Sequence, residues 1–109
     1  MGNEEGLKTT EVPRLIYTPA AVRDLVRLRQ FLESEAPEVA ARAAKAIKSA
    51  LGQASRRPLL ARPAPSAPVG SHELVITFGA TGYIARYFYD REKNLVIVER
   101  IWHQRELGL

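Results

Sequence analysis

Apolar positions recur along the chain with two different periods, and the change from one to the other divides it. The run Arg14-Leu15-Ile16-Tyr17 reads as a short strand closed by Thr18-Pro19. Thr18 is a good helix N-cap, and Pro19 suits the first helical position, where a missing N–H costs nothing. Val22, Leu25, Val26, Leu28 and Leu32 follow a period near 3.6, which predicts a helix from Pro19 to about Glu35. Ser34-Glu35-Ala36-Pro37 breaks it, and Pro37 opens a second helix running to about Ala54. Its stripe is Val39, Ala43, Ala46, Ile47, Ala50 and Leu51. Two helices joined by so short a break form an antiparallel hairpin.

Four of the seven prolines fall between Arg56 and Pro68, which makes this segment an irregular or extended connection. It reads either as a spacer or as a basic loop at the rim of a binding site. Beyond it the period becomes two. Glu73–Phe78, Tyr83–Tyr89 and Leu95–Trp102 read as strands rich in β-branched and aromatic residues. Gly79-Ala80-Thr81-Gly82 and Asp90-Arg91-Glu92-Lys93-Asn94 supply the turns. The order is β-α-α-β-β-β, an α+β fold with an N-terminal strand and a helical hairpin packed on an antiparallel sheet.

Alternation along the strands sorts their faces. Pairing Phe78 with Tyr83 and Tyr89 with Leu95 puts Leu74, Ile76, Phe78, Tyr83, Ala85, Tyr87, Ile97 and Ile101 under the helices. The opposite face then holds Val75, Thr77, Ile84, Arg86, Phe88, Val96, Val98, Arg100 and Trp102. No predicted helix remains to cover this second face. An uncovered apolar face on a small domain points to a partner, and Arg and Trp are enriched at binding hot spots. The alternative is that the Pro-rich connection or the chain ends fold over it.

Composition narrows the chemistry. With 109 residues the chain suits one domain, over residues 14–109, with residues 1–13 read as a disordered extension. The chain has no cysteine and only two distant histidines, so neither a disulfide framework nor a metal site is expected, and no cofactor. No apolar run reaches membrane-spanning length, and MGNEEGLKTTEVP holds no signal-peptide core, so a cytoplasmic protein is expected. The net charge is −2 over residues 1–12, +6 over 13–62 and zero over 63–109. That basic first half can attract nucleic acid or an acidic protein, and charge alone does not choose between them.

Taken together, residues 14–106 resemble the RelE/ParE superfamily of bacterial type II toxins. The resemblance is carried by the element order and by Tyr17-Thr18-Pro19-Ala20-Ala21-Val22-Arg23-Asp24-Leu25. Further matches are Gly70-Ser71-His72-Glu73-Leu74-Val75-Ile76, Gly82-Tyr83-Ile84-Ala85-Arg86-Tyr87 and Arg100-Ile101-Trp102-His103-Gln104-Arg105-Glu106. It implies a toxin held inactive by a co-expressed acidic antitoxin whose C-terminal segment wraps the helices and sheet. RelE-like members cleave messenger RNA on the ribosome with strand lysines, an arginine after the Gly-Tyr, and a C-terminal arginine. Here Val75 and Thr77 stand in the lysine positions and Ile84 in that of the arginine; only Arg105 matches. The resemblance is nearer to the ParE branch, which poisons DNA gyrase and lacks that set; His72, where the family more often has arginine, departs from it.

The resemblance therefore implies a binding-type gyrase inhibitor, partnered in a hetero-oligomer with a ParD-like antitoxin. A RelE-like nuclease built on Arg86, Arg100, His103 and Arg105, or a lapsed toxin that still binds antitoxin, are the alternatives. The residues expected to meet antitoxin or target are Val75, Thr77, Ile84, Arg86, Phe88, Arg100, Trp102 and Arg105. His103 reads first as a residue that holds the C-terminal tail by a hydrogen bond, and second as a general base. Arg105 divides between a salt bridge to Glu106 and a target contact.

Overall fold

The computed structural model describes residues 11–34, 36–65 and 67–108. Strand β1 (Arg14–Tyr17) leads into helices α1 (Pro19–Glu33) and α2 (Pro37–Arg56). Strands β2 (Arg62–Pro63), β3 (Ser71–Phe78), β4 (Thr81–Asp90) and β5 (Leu95–His103) follow, and a 3-10 turn (Gln104–Gly108) comes last among the described residues. The sheet order is β1-β5-β4-β3-β2, antiparallel except for the parallel pair β1–β5. The helical hairpin lies on one face, so the expected β-α-α-β-β-β architecture is present with an added edge strand. Of the N-terminal extension, residues 1–10 lie outside the described residues, and Pro13 is buried.

Thr18 caps α1 as its sequence position predicts: its hydroxyl accepts from the Ala21 N–H at 3.0 Å. The same hydroxyl donates to the Glu99 carbonyl of β5 at 3.0 Å, which ties the helix start to the sheet. The buried stripe of α1 is Ala21, Asp24 and Leu28, flanked by Leu25 and Leu32. It is rotated from the expected one, because Val22 and Val26 are about half exposed. On α2, Ala40, Ala43, Ile47, Leu51 and Ser55 are buried. The small alanines there let the helices approach closely.

The Pro-rich segment is not a simple spacer. Arg62 and Pro63 form edge strand β2 against Glu73 and His72, with an Arg62–Glu73 ion pair of 3.1 Å. Pro63 offers no N–H, a device that blunts an edge strand against further pairing. The buried Tyr87 hydroxyl donates to the Pro58 carbonyl at 2.6 Å and fixes the start of the connection. His72, on the same face, stacks on Tyr87 with ring centroids 5.4 Å apart. At the far end Gly70 takes φ +99°, and a side chain there would meet the Phe88 ring at 2.7 Å.

Strand pairing differs from expectation in two places. Phe78 pairs with Thr81 across a two-residue turn, so Ile76, not Phe78, faces Tyr83. A slip of two residues leaves the faces of β3 and β4 as predicted. In β5, however, Arg100 pairs with Arg86 and Val98 with Tyr87, which leaves Glu99 as the extra residue of a β-bulge. That one residue inverts the alternation upstream. Val96 and Val98 are fully buried in the core, contrary to their expected place on the far face, and Ile97 pairs with Phe88 there instead.

Gly82, the second residue of β4, sits where a side chain would be crowded. A methyl group would stand 2.8 Å from the Gln104 side-chain oxygen and 3.0 Å from the Ile76 carbonyl. Gly82→Ala is therefore expected to destabilise the fold by about 1–3 kcal/mol through overpacking, measurable as a lowered urea midpoint at unchanged m-value. Among the described residues no helix is long and apolar enough to cross a membrane.

Candidate partner-binding site

Four elements meet at one end of the hairpin: the second half of α1, the first turn of α2, the β3–β4 turn and the C-terminal 3-10 turn. Between them lies an open cleft of about 880 Å³. Leu28 and Leu32, one helical turn apart, point inward with Val39, Phe78 and Tyr83 to make an apolar floor. Phe31 stands at the mouth and is 69% exposed, unusual for so large an apolar side chain. The Phe78 and Tyr83 rings pack at 6.4 Å with a 51° tilt. Burial pushes the Tyr83 hydroxyl pKa up, which keeps the floor neutral. Arg27, Arg42 and Arg105 ring the cleft, with Glu106 among them.

The C-terminal turn is held to this rim by a short network. Glu106 accepts from the His103 backbone N–H at 2.8 Å and from the Arg27 guanidinium at 3.0 Å. Burial alone would raise the Glu106 carboxyl; these partners outweigh it and hold the pKa below the ordinary value. The Arg105 N–H donates to His103 Nδ1 at 3.0 Å, and His103 Nε2 lies 2.6 Å from the Thr81 hydroxyl. With Nδ1 accepting, a neutral ring carries its proton on Nε2 and donates to Thr81. His103 thus ties the tail to the β3–β4 turn, its expected structural role, and both ring nitrogens are occupied. Of the two readings of Arg105, the salt bridge to Glu106 is not formed: Arg27 takes that carboxylate, and the exposed Arg105 side chain forms no ion pair among the described residues.

Beneath the rim lies a residue whose role the sequence reading did not assign. Asp24, 3% exposed, accepts from Arg100 Nε at 2.7 Å, Arg100 Nη2 at 3.1 Å, the Ile101 N–H at 2.8 Å and Arg27 Nη1 at 2.6 Å. Burial pushes its pKa up, and the bonds from Arg100, Ile101 and Arg27 more than reverse this, so it lies below the usual carboxylate range. The signal was present: Ala21, Asp24 and Leu28 stand at i, i+3 and i+7, which puts an acid on the helix's inner stripe.

The sequence-predicted contact residues separate into groups. Arg86 and Arg100 stand opposite one another across β4 and β5 but take different partners: Arg100 reaches Asp24 on α1, while Arg86 Nε binds Glu99 at 3.2 Å. Glu99 also accepts from the Ser71 hydroxyl at 3.2 Å. Val75, Ile84 and Trp102 do come together, as one cross-strand row on the far face. Only its end is open, since Val75 is 43% exposed while Ile84 is buried. Thr77 is exposed beside it, Trp102 is half-buried, and Phe88 is half-buried where Gly70 packs against it. The cleft itself went unpredicted, although a phenylalanine off the apolar stripe of α1 was a legible hint.

Among the described residues no group of three or more His, Asp or Glu side chains could hold a metal ion. Residues 15–108 match the family described as the ParE toxin of the type II toxin–antitoxin system parDE. Over 88 residues the chain is 35% identical to Toxin RelE3 of Caulobacter vibrioides, covering 81% of this chain and 90% of that protein. Its fold is similar to the chromosomal ParDE toxin–antitoxin system from P. aeruginosa, with a TM-score of 0.67, 18% identity, and coverage of 84% and 96%. It is also similar to a chain of the toxin–antitoxin complex RelBE2 from Mycobacterium tuberculosis, with a TM-score of 0.58, 28% identity, and coverage of 85% and 93%.

Proposed function

This chain belongs to the ParE toxin family of type II toxin–antitoxin systems, and we propose that it acts by binding DNA gyrase and is silenced by a cognate acidic antitoxin seated in the cleft. The observation that carries the binding reading is the dispersal of the polar side chains a nuclease would need. Arg86 is held by Glu99, Arg100 by Asp24, and His103 by Thr81 and the Arg105 N–H. Metal-free cleavage of RNA requires cations and an acid–base pair converging on one phosphate. These groups point to different partners on different elements. Val75, Thr77 and Ile84, an exposed valine, an exposed threonine and a buried isoleucine, offer no charge of their own.

The cleft fits the antitoxin half of the proposal. Its floor accepts the apolar side of an amphipathic segment, and Arg27, Arg42 and Arg105 complement acidic residues flanking it. The far-face row of Val75, Ile84 and Trp102, with Thr77, Arg86 and Phe88 around it, is the second surface, open to gyrase or to the antitoxin's trailing end.

Purified chain added to gyrase, ATP and plasmid is expected to block supercoiling or trap cleaved DNA, and the product of the neighbouring antitoxin reading frame to restore activity. The second reading, ribosome-dependent messenger RNA cleavage, is favoured by the similarity to Toxin RelE3. Unimpaired gyrase together with cleavage of ribosome-bound message would replace the first reading with the second. Inertness in both assays, with antitoxin binding intact, would mark a lapsed toxin.

A further inference from the structure

Away from the cleft, the molecule carries a second set of exposed cations. Lys45, Lys48 and Arg56 stand exposed on α2, away from its buried stripe, and Arg57 follows at its end. Arg91 and Lys93 project from the β4–β5 turn. None of the six forms an ion pair among the described residues. The only acid of α2 is Glu38, in the first turn at the opposite end of the helix. Lys45 and Lys48 line a shallow hollow of about 560 Å³. Arg56, Arg57, Arg91 and Lys93 share another of about 900 Å³, tempered by Glu11 and Glu92.

We infer that this ridge binds the phosphate backbone of duplex DNA. Three features favour a polyanion backbone over an acidic protein. Lys45, Lys48 and Arg56 are strung along the helix, and the Lys45–Lys48 hollow has no large apolar side chain in its lining. Their neighbours on α2 are Ala41, Ala44, Ser49 and Gln53, and no large apolar side chain is exposed between Pro37 and Arg56, so the helix itself lacks the anchors of a protein hot spot; the exposed Leu59 and Leu60 stand beyond its end, in the hollow of Arg56 and Arg57. Small neighbours also let a sugar–phosphate chain approach closely. From Lys45 to Arg56 the helix rises about 16 Å, roughly half a turn of duplex. Such contacts position a protein on DNA without reading sequence. The inference stands on these residues and does not require gyrase to be the target.

The test is fluorescence anisotropy of a labelled 20-base-pair duplex of arbitrary sequence, titrated with the full chain between 50 and 200 mM KCl. About six phosphate contacts predict a loss of affinity of roughly 10³-fold across that range. Replacing Lys45, Lys48 and Arg56 together by glutamine is expected to flatten the log–log salt slope by about one per cation removed. A control replacing Arg14, Arg23 and Arg62 by glutamine removes the same charge elsewhere and is expected to leave more of the slope. Equal effects of the two triple variants would overturn the proposal in favour of net charge alone. Absence of duplex binding at 50 mM KCl would overturn it too, as would tenfold tighter binding to a hairpin RNA. A ridge variant that binds duplex normally but loses antitoxin affinity tenfold would reassign the ridge to an acidic protein.

Discussion

Asp24→Ala is expected to lower the unfolding free energy by about 3 kcal/mol, the low end of the range for removing one partner of a buried ion pair. The low end applies because the Arg27 and Arg100 side chains are 43% and 48% exposed, so water can resolvate them once the carboxylate is gone. The buried Ile101 N–H cannot be resolvated, and its unpaired state makes up much of the loss. A urea titration reads the change directly, and an unchanged midpoint would show that the carboxylate contributes nothing net. The pH dependence carries the same signature. The Asp24 pKa is lower folded than unfolded, so its stabilisation is fully present above the unfolded value of about 4. It is lost as pH falls through the folded value. Glu106 titrates in the same direction. Asp24→Asn should therefore be destabilised at neutral pH and show a shallower acid limb than the parent.

The second large effect is on partner binding. Phe31→Ala is expected to weaken the antitoxin complex by roughly 10–100-fold, the scale of a hot-spot aromatic. Stability should move by no more than about 0.5 kcal/mol, because the ring is largely outside the core. Calorimetric titration of the cognate antitoxin into both variants separates the surfaces, with Val75→Ala/Thr77→Ala as the comparison. Undiminished affinity in Phe31→Ala, with a loss in the far-face variant, would move the antitoxin from the cleft to the sheet.

Much of the fold was legible because each element announces itself locally. Thr18-Pro19 and Pro37 mark helix starts, and the strand runs between Ser71 and His103 alternate cleanly enough to give the core face of β3 and β4. What could not be read is where alternation fails. Leu95 to Val98 is apolar at every position, so it is compatible with either face, and the bulge at Glu99 chooses. Adjacent charges at Glu99 and Arg100 were the trace of it: in an unbroken strand one of them would point into the core. The same bulge leaves Arg86 and Arg100 opposite one another but sends their side chains to different acids, so one extra residue accounts for both the core error and that split. The cleft was hidden for a different reason. It is assembled from residues as distant as Phe31, Phe78 and Arg105, and no local period connects them.

The parallel pairing of β1 with β5 also has a temporal meaning. Among the described residues, β1 finds its only sheet neighbour in β5, the last strand. Thr18 and Glu99 are 81 residues apart, and Asp24 and Arg100 are 76 apart. During synthesis, at roughly 5–20 residues per second, β1 and the Asp24 carboxylate therefore emerge seconds before their partners exist. A nascent chain can form the hairpin of α1 and α2 early but closes the sheet only after β5 is made, and such long-range pairing is slow. The rim of the cleft, built partly from Arg105 and Glu106, is completed at the same moment. A toxin wired in this way is assembled only once β5 has been made, which leaves an interval for an antitoxin to meet it first.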